Sequence, residues 1–350
     1  MSAREFALED LDYDLPSELI AQQPVEPRDA SRLLVFHRTT GEIEDRVFNE
    51  LPGLLRRGDV LVRNDTRVFP ARAFFRRPTG GRIEVLFLRP RDPAAAGERW
   101  DVLVRGRVRP GEVLANERAE WPLRCDESLG EGRWRVTNLA PTPVLTLLET
   151  AGVTPLPPYI RQPLGDAERY QTAYAKTVGS AAAPTAGLHF TSQLDAALVA
   201  GGVSIETITL HVGLGTFKPL QAETLAARAL HGESYEVAAG VLARVREARS
   251  EGRRVVAVGT TSVRTLEHLA ASVEVSPPGG VYRGETELFI GPGHQPRLVD
   301  GIITNFHLPR TSLLALVMAF CGVEETQRLY RHAVDARYRF YSLGDAMVVL

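Results

Sequence analysis

The sequence lacks the features that mark membrane proteins and disulfide-stabilised proteins. Its 350 residues contain two cysteines, Cys125 and Cys321, which argues against a disulfide framework and is typical of a reducing compartment. The best apolar run, Leu313–Cys321, has about half the length that a bilayer-spanning helix requires. The first residues form no apolar signal segment. We therefore expect a cytoplasmic protein that does not contact a membrane.

A strong net charge and three common site motifs are also missing. The formal net charge is −2, so the overall composition does not indicate a nucleic-acid partner. A Walker loop would require Gly-Lys-Ser/Thr, and a dinucleotide fingerprint would require a third glycine after Gly213–Leu214–Gly215. The nucleophile elbow Gly-x-Ser-x-Gly is absent as well. These absences disfavour P-loop, dinucleotide-binding and α/β-hydrolase chemistry.

Between about Val68 and Pro158 the sequence predicts a small antiparallel β domain or barrel. The strands there are short and are separated by Gly and Pro turns. We place them at Ile83–Leu88, Trp100–Val104, Glu112–Leu114, Trp121–Cys125 and Trp134–Val136.

The same part of the chain is rich in arginine. Ten arginines lie between Gly53 and Arg91 against three carboxylates. The aromatic residues Phe69, Phe74 and Phe75 lie among them. This composition is typical either of a solvated β surface or of a surface that contacts phosphates and bases, and it leaves both interpretations open.

Outside that region strands and helices alternate, which predicts an α/β domain. Arg32–Arg38 and Glu42–Phe48 are typical of a hairpin. Further strands are predicted at Asp59–Val62, Val203–Val212, Arg254–Val258, Glu287–Ile290, Leu298–Thr304 and Ala346–Leu350. Helices are predicted at Ser17–Gln22, Asp166–Thr177, Ala222–Leu230, Val241–Arg249, Val263–Ala271, Thr311–Cys321 and Glu324–Val334, and from Thr191 or Ser192 to Ala200.

The stretch Ser180–Thr191 carries little charge and places a histidine directly before a predicted helix. Pro184 favours an extended entry, and Gly187 allows a turn or a close approach that a β-carbon would block. His189 therefore lies just before a helix N-terminus, where free backbone N–H groups favour an anionic ligand.

Three later segments share this layout. Together with Thr185–His189, the segments His211–Thr216, Gly259–Ser262 and Asn305–His307 each follow a predicted strand. Ligands of α/β sheets collect beyond the carboxyl ends of strands, so we expect one crevice rich in hydroxyls and imidazoles. Such a crevice is suited to proton transfer on a polar, nucleoside-like ligand.

Metal binding is the rival interpretation of the three histidines His189, His211 and His307. No HxH or HExxH spacing and no cysteine pair accompanies them. We therefore expect no metal.

A series of unusual strings occurs in order from about Leu11 to Leu350. Together they resemble the S-adenosylmethionine:tRNA ribosyltransferase-isomerase family of queuosine biosynthesis. The strings are LDYDLP, QQPVEPRDASRLLV, NDTRVFPAR, GGRIEVL, LPPYI, AAPTAGLHFT, TLHVGLGTF, VGTTSVRTLE, TNFHLP and YRFYSLGDAM. The sequence departs from the family at Leu308–Ser312, where an acidic residue and Ser-Thr often follow the proline, and at Leu343, where an aromatic residue is common.

The resemblance implies an α/β main domain formed by residues 1–68 and 158–350, with a β-barrel domain, residues 69–157, inserted in it. It also implies that the ribosyl part of S-adenosylmethionine is transferred to 7-aminomethyl-7-deazaguanine (preQ1) at the wobble position of a tRNA. Isomerisation then gives epoxyqueuosine-tRNA and releases adenine and methionine. S-adenosylmethionine would be a consumed co-substrate, with no further cofactor, and we expect a monomer.

The resemblance also suggests residues for each role. His189 or His211 would be the general base. The residues that would bind the substrate are Thr185, Gly187, Gly213, Gly215, Thr216, Thr260, Thr261, Ser262, Arg264, Asn305, His307 and Asp345. The arginines of the barrel region that would contact tRNA are Arg67, Arg72, Arg76, Arg77 and Arg82.

Two other functions remain open at this point. A methyltransferase that uses S-adenosylmethionine to modify RNA would leave S-adenosylhomocysteine, whereas the ribosyl transfer releases free adenine. An RNA-binding module without activity would bind tRNA and leave S-adenosylmethionine intact.

Overall fold

The computed structural model describes residues 6–91, 98–162, 164–213, 220–272 and 280–350. The chain packs into two compact units. The first consists of Met1–Thr66, Pro158–Thr177 and Ala183–Leu350, and the second of Arg67–Pro157 and Val178–Ala182.

Strands and helices alternate along most of the first unit and strands dominate the second. The strands are β1 (Arg32–His37), β2 (Glu42–Val47), β3 (Val60–Asn64), β4 (Thr66–Val68), β5 (Arg72–Arg76), β6 (Arg82–Pro90), β7 (Arg99–Arg105), β8 (Val113–Asn116), β9 (Pro122–Gly130), β10 (Arg133–Asn138), β11 (Thr177–Ser180), β12 (Ser204–Leu210), β13 (Ala229–Ala238), β14 (Val255–Val258), β15 (Val281–Leu288), β16 (Gly301–Asn305) and β17 (Ala346–Val349). The α-helices are α1 (Leu51–Leu54), α2 (Val144–Ala151), α3 (Ser192–Ala200), α4 (Ala222–Ala227), α5 (Ala239–Ser250), α6 (Gly259–Ser272), α7 (Ser312–Cys321) and α8 (Val323–Asp335).

A mixed nine-stranded sheet forms the centre of the first unit, in the order β15-β13-β12-β3-β14-β16-β17-β1-β2. The four strands β12, β3, β14 and β16 are parallel to one another. Their carboxyl ends therefore lie at one edge of the sheet. β17 runs antiparallel to β16 and β1 runs parallel to β17, so their amino ends reach the same edge.

The middle of this sheet is buried. This burial explains why its central strand is a continuous apolar run. All four residues of β14 (VVAV) are buried, and Leu61 of β3 packs in the same core. Helix α3 covers this core with Leu194 and Leu198, its two buried residues. Thr191 caps α3 by accepting a hydrogen bond from the Leu194 N–H at 3.1 Å.

The second unit contains a closed antiparallel barrel in the order β10-β7-β6-β5-β8-β9. Aromatic rings fill it: Trp121 packs on Phe75 and Phe87, with ring centroids 5.1 and 5.2 Å apart. Two short strands, β4 and β11, pair with each other outside the barrel. The predicted fold class, an α/β domain with a small antiparallel β-barrel, is confirmed.

Several predicted elements were wrong. The helix predicted at Asp166–Thr177 is a single 3-10 turn, Ala167–Tyr170, so Tyr170 and Tyr174 do not share a helix face. The segment Ser17–Gln22 is helical only at Ser17–Leu19, again as a 3-10 turn. Both are short segments held by tertiary contacts, which override a weak local preference.

Two other errors concern where helices begin and end. The helix predicted to run to Leu230 ends at Ala227, because Arg228 is left-handed (φ 48°) and the chain continues as β13, which was not predicted. The predicted turn Gly259–Ser262 is instead the first turn of α6. Helix α2 was also not predicted. None of the helices that the structure describes is both long and apolar enough to cross a bilayer.

Candidate active site

The carboxyl edge of the four parallel strands carries an open pocket of about 480 Å³. Most of its lining residues are small or carry a hydroxyl or amide. They are Ala183, Pro184, Thr185, Ala186, Val212, Gly259, Thr260, Thr261, Thr304, Asn305, His307, Leu313, Tyr341 and Ser342. Among these described residues there is no carboxylate, lysine or arginine. We call this the main pocket, and its lining suits a polar small molecule.

The pocket contains five of the predicted substrate-binding residues: Thr185, Thr260, Thr261, Asn305 and His307. All four predicted segments therefore contribute to its lining, the segment His211–Thr216 through Val212. Two other predicted residues, Gly215 and Thr216, lie outside the described residues. We predicted that Thr185–His189 would follow a strand, as the other three segments do. It instead forms a 3-10 helix beside the main sheet.

Helix α6 begins at the pocket without an intervening loop. β14 ends at Val258 and Gly259 already starts the helix, with a φ of +82° that favours glycine. The backbone N–H groups of the first helical turn have no acceptor within the helix, so this end is electropositive. Thr261 is fixed there because its Oγ1 accepts a hydrogen bond from Asn64 Nδ2 at 3.3 Å.

The Asn305 side chain connects three segments that are far apart in the sequence. Its Oδ1 accepts from Thr185 Oγ1 at 2.9 Å, and its Nδ2 donates to His189 Nε2 at 3.1 Å. The same Nδ2 lies 3.4 Å from the Asp345 carbonyl oxygen. All of these groups are buried or nearly so, and a buried amide that keeps its partners holds the segments in one arrangement.

The contacts of His189 define its protonation state. Because Nε2 accepts from Asn305, the proton lies on Nδ1, which donates to Ser31 Oγ at 2.7 Å. The ring stacks on Phe48 with centroids 4.9 Å apart. Burial, together with the positive charges of Arg339, Arg169 and Arg28, lowers the pKa of His189 to about 3. His189 is therefore neutral at pH 7.

The sequence suggested that His189 lies at the ligand site, but His189 does not line the main pocket. It lines a smaller cavity of about 270 Å³ together with Arg28, Ser31 and Arg169. We call this the second cavity. The two spaces are close, since both are bounded by the 3-10 helix Thr185–His189 and by Ser342.

His211 has a different environment. It is half-buried, and its Nδ1 lies 2.8 Å from Thr66 Oγ1. Burial lowers the pKa of His211, so this imidazole is also neutral at pH 7. The described residues supply no hydrogen-bond partner for its Nε2. The next residue, Val212, lines the main pocket.

His307 is the only one of the three predicted histidines in the main pocket. Its Nε2 lies 2.9 Å from Thr304 Oγ1, and its backbone N–H donates to the Tyr330 hydroxyl at 3.1 Å. Burial lowers the pKa of His307 to about 3. Within the described residues no group of three or more His, Cys, Asp or Glu side chains is arranged to hold a metal.

Arg264 and Gly213 are committed to contacts with the fold. The Arg264 guanidinium pairs with the Glu233 carboxylate and donates to the carbonyl oxygens of Leu288 and Thr286 at 2.9 and 3.2 Å. Glu233 also accepts from the Gly213 N–H at 2.9 Å. The resemblance suggested both as substrate-binding residues, but in this structure both groups are engaged by Glu233.

Gly187, Ser262 and Asp345 also lie outside the main pocket. A β-carbon at Gly187 would lie 2.1 Å from the Tyr174 hydroxyl oxygen, so glycine is required there for packing. Ser262 Oγ donates to the Val258 carbonyl oxygen within α6 at 2.7 Å. The Asp345 carboxylate accepts backbone N–H bonds from Arg32 and Arg339 at 3.1 and 2.8 Å.

Sequence reasoning missed Tyr341 and Ser342, which line the main pocket. Tyr341 has a φ of +74°, a strained conformation for an aromatic residue and one that is frequent at functional sites. Its ring lies 4.0 Å from that of Tyr159, whose hydroxyl donates to Ser342 Oγ. The available signal was the closing string YRFYSLGDAM, of which only Asp345 had been selected.

The predicted tRNA-contacting arginines are mostly paired with carboxylates of the second unit. Arg72 pairs with Glu84 at 3.1 Å, and Arg77 pairs with Glu112 at 2.7 Å. Arg76 and Arg82 share Glu117 but remain 60% and 58% exposed. Arg67 is half-buried.

Three aromatic residues were expected beside these arginines. Two of them are not available to stack on a nucleic-acid base. Phe69 and Phe75 are buried in the core. Phe74 is half-buried, and the Arg82 guanidinium lies 4.1 Å from its ring centroid.

The family is decided by comparison with known proteins. Residues 8–349 match the family model described as "Queuosine biosynthesis protein". The chain belongs to the queuosine biosynthesis protein family. A curated relative from Rubrobacter xylanophilus, an S-adenosylmethionine:tRNA ribosyltransferase-isomerase, is 52% identical over 98% of this chain and 97% of the relative. An enzyme of the same name from Symbiobacterium thermophilum is 48% identical over 98% of this chain and 99% of its own length.

A solved structure of a queuosine family member supports the same assignment. The S-adenosylmethionine tRNA ribosyltransferase of Thermotoga maritima is 38% identical to this chain, with a TM-score of 0.56. The match covers 97% of this chain and 100% of that one. The resemblance seen in the sequence motifs is confirmed, and this family member is a transferase.

Acidification is expected to destabilise the folded protein, and His189→Gln is expected to reduce that loss. His189 is neutral in the folded state, so unfolding takes up a proton once the pH falls below about 6.5, the ordinary pKa of histidine. The contribution is present above that pH and is lost towards pH 3. Between pH 7 and 5 it removes about 2 kcal/mol from the free energy of unfolding.

Urea unfolding at pH 7 and pH 5 measures this loss. His231→Gln is a matched control, because His231 is exposed and its replacement should leave the pH dependence unchanged. Equal losses in the wild type and in His189→Gln would contradict the buried, neutral state of His189.

Proposed function

We propose that this chain transfers the ribosyl moiety of S-adenosylmethionine to preQ1 at the wobble position of a tRNA and isomerises it. The products are epoxyqueuosine-tRNA, adenine and methionine. Membership of the queuosine family and the activity named for its relatives support the ribosyl transfer. S-adenosylmethionine is the consumed co-substrate, no further cofactor takes part, and the protein acts as a monomer in the cytoplasm.

The observation that carries the proposal is the convergence of hydroxyl, amide and helix-terminal N–H groups in the main pocket. A ribose presents hydroxyls that Thr185, Thr260 and Thr261 can bind, and Asn305 orients Thr185. Tyr341 offers an aromatic ring to an adenine. The uncharged lining fits a nucleoside better than a nucleotide, whose phosphates would require cationic partners.

The chemistry requires a base and a proton donor. The sulfonium makes the neighbouring 5′ C–H acidic, so a base can remove this proton, and adenine leaves more easily when it is protonated. His211 is the better of the two candidate bases, because its Nε2 has no hydrogen-bond partner among the described residues. The Nε2 lone pair of His189 is occupied by Asn305.

In the second unit, one end of the barrel is the best candidate for tRNA contact. β5 ends at Arg76, β6 begins at Arg82 opposite it, and β7 ends at Arg105 opposite Glu84. Arg105 and Arg107 are exposed and pair with no carboxylate among the described residues. Binding a phosphate costs an unpaired arginine less free energy than it costs an arginine that must first give up its carboxylate partner.

The reaction itself is tested by incubating the protein with S-adenosylmethionine and preQ1-containing tRNA. We expect epoxyqueuosine among the digested nucleosides and free adenine in equal amount, both measured by mass spectrometry. S-adenosylhomocysteine in place of adenine would instead indicate a methyltransferase. tRNA binding without consumption of S-adenosylmethionine would indicate an RNA-binding module.

His211→Ala is expected to lower kcat by about 10²- to 10⁴-fold, the contribution typical of a general base. Binding of tRNA, measured by filter retention, should be unchanged. His189→Ala is the comparison: it removes the imidazole that Ser31 and Asn305 contact and should mainly lower the free energy of unfolding. Normal turnover of His211→Ala would exclude it as the base.

The double variant Arg105→Glu/Arg107→Glu is expected to raise the KM for tRNA about tenfold or more and to reduce its salt dependence. The KM for S-adenosylmethionine should not change. Arg99→Glu is a matched control, because Arg99 is exposed at the opposite end of β7. An unchanged KM for tRNA in the double variant would rule out this end of the barrel.

A further inference from the structure

The second cavity contains cationic groups that the main pocket lacks. Arg28 and Arg169 line it together with Ser31 and His189. Nothing in the proposed chemistry at the main pocket uses these two arginines.

Arg169 has a buried donor without an acceptor. Its side chain is only 15% exposed. Nη2 donates to the Val25 carbonyl oxygen at 2.7 Å, and Nε pairs with Glu26. Nη1 is fully buried and has no hydrogen-bond partner among the described residues. A buried guanidinium N–H that is left unpaired is costly, so its presence indicates a missing acceptor.

Arg28 is held in place without being neutralised. Nη1 donates to the carbonyl oxygens of Gln171 and Leu188 at 2.9 and 3.2 Å, and Nη2 donates to that of Glu168 at 3.0 Å. Carbonyl oxygens fix the orientation of a guanidinium but do not neutralise its positive charge. The neighbouring charge of Arg169 adds to burial in lowering the pKa of Arg28.

The carboxylates that face this pair lie at the surface. Glu26, Asp166 and Glu168 interact with Arg28 through their charges, and all three residues are exposed. Their attraction is weakened by solvent. On the buried side the pair meets neutral groups, His189 and Ser31. Two cations that line the same cavity favour an anion inside it.

We propose that the second cavity binds the carboxylate of the methionyl group of S-adenosylmethionine, through Arg169 and Arg28. This inference rests on the proposed function, in which the nucleoside lies in the main pocket. Thr185 and Ala186 line the main pocket, while Leu188 and His189 of the same 3-10 helix line the second cavity. Ser342 borders both spaces. A ligand with a nucleoside at one end and a carboxylate at the other matches this arrangement.

The test compares S-adenosylmethionine with decarboxylated S-adenosylmethionine, which keeps the nucleoside and the sulfonium. Dissociation constants are measured by calorimetry for the wild type, Arg169→Gln and Arg169→Lys. We expect the wild type to bind the carboxylate-bearing ligand about 10- to 100-fold more tightly. Arg169→Gln should abolish this preference, and Arg169→Lys should restore part of it. Arg161→Gln, an exposed arginine of the same unit, should keep it.

Each other result overturns the inference. Equal binding of the two ligands by the wild type excludes a carboxylate site, even if the variants do not fold. If folded Arg169→Gln loses affinity for both ligands equally, Arg169 has a role in packing and does not bind the carboxylate. A raised KM for tRNA with unchanged affinity for S-adenosylmethionine assigns the cavity to an RNA phosphate. If the wild type binds neither ligand, the proposed function itself fails, which distinguishes the two conclusions.

Discussion

The parallel hydrogen-bond register of β12, β3, β14 and β16 is the constraint on which the site depends. Because these strands run in the same direction, residues from distant parts of the chain leave the sheet at one edge. The reversal at β17 adds the closing segment, so that Tyr341 and Ser342 reach the same edge. A one-residue slip in this register would turn every side chain of the slipped strand to the other face of the sheet.

A buried polar network then fixes what the sheet brings together. Asn305 holds Thr185 and His189, and His189 in turn holds Ser31 at the start of β1. Ser31, His189 and Asn305 are buried, so the loss of one would remove a hydrogen bond from the others in a low-dielectric interior. The same burial keeps the imidazole neutral. His189 is therefore better suited to shaping the wall between the two cavities than to removing a proton.

The sequence predicted this edge of the sheet well because strand ends leave a local signal. The apolar run of β14 followed by Gly-Thr-Thr, and that of β16 with Asn-Phe-His at its end, indicated Thr260, Thr261, Asn305 and His307, which line the main pocket. Roles that depend on tertiary partners were not predictable. The ion pair between Arg264 and Glu233 joins residues 31 positions apart in the sequence. Arg169 Nη1 is buried without a partner among the described residues. No local sequence pattern encodes either feature.

The central claim is that a sulfonium nucleoside lies in the main pocket at the carboxyl edge of the parallel strands. A crystal structure of the protein with S-adenosylmethionine tests this most directly. The account predicts density for the ribose within hydrogen-bond distance of Thr260 or Thr261, with the adenine near Tyr341. A nucleoside bound elsewhere, with the main pocket filled only by water, would contradict it.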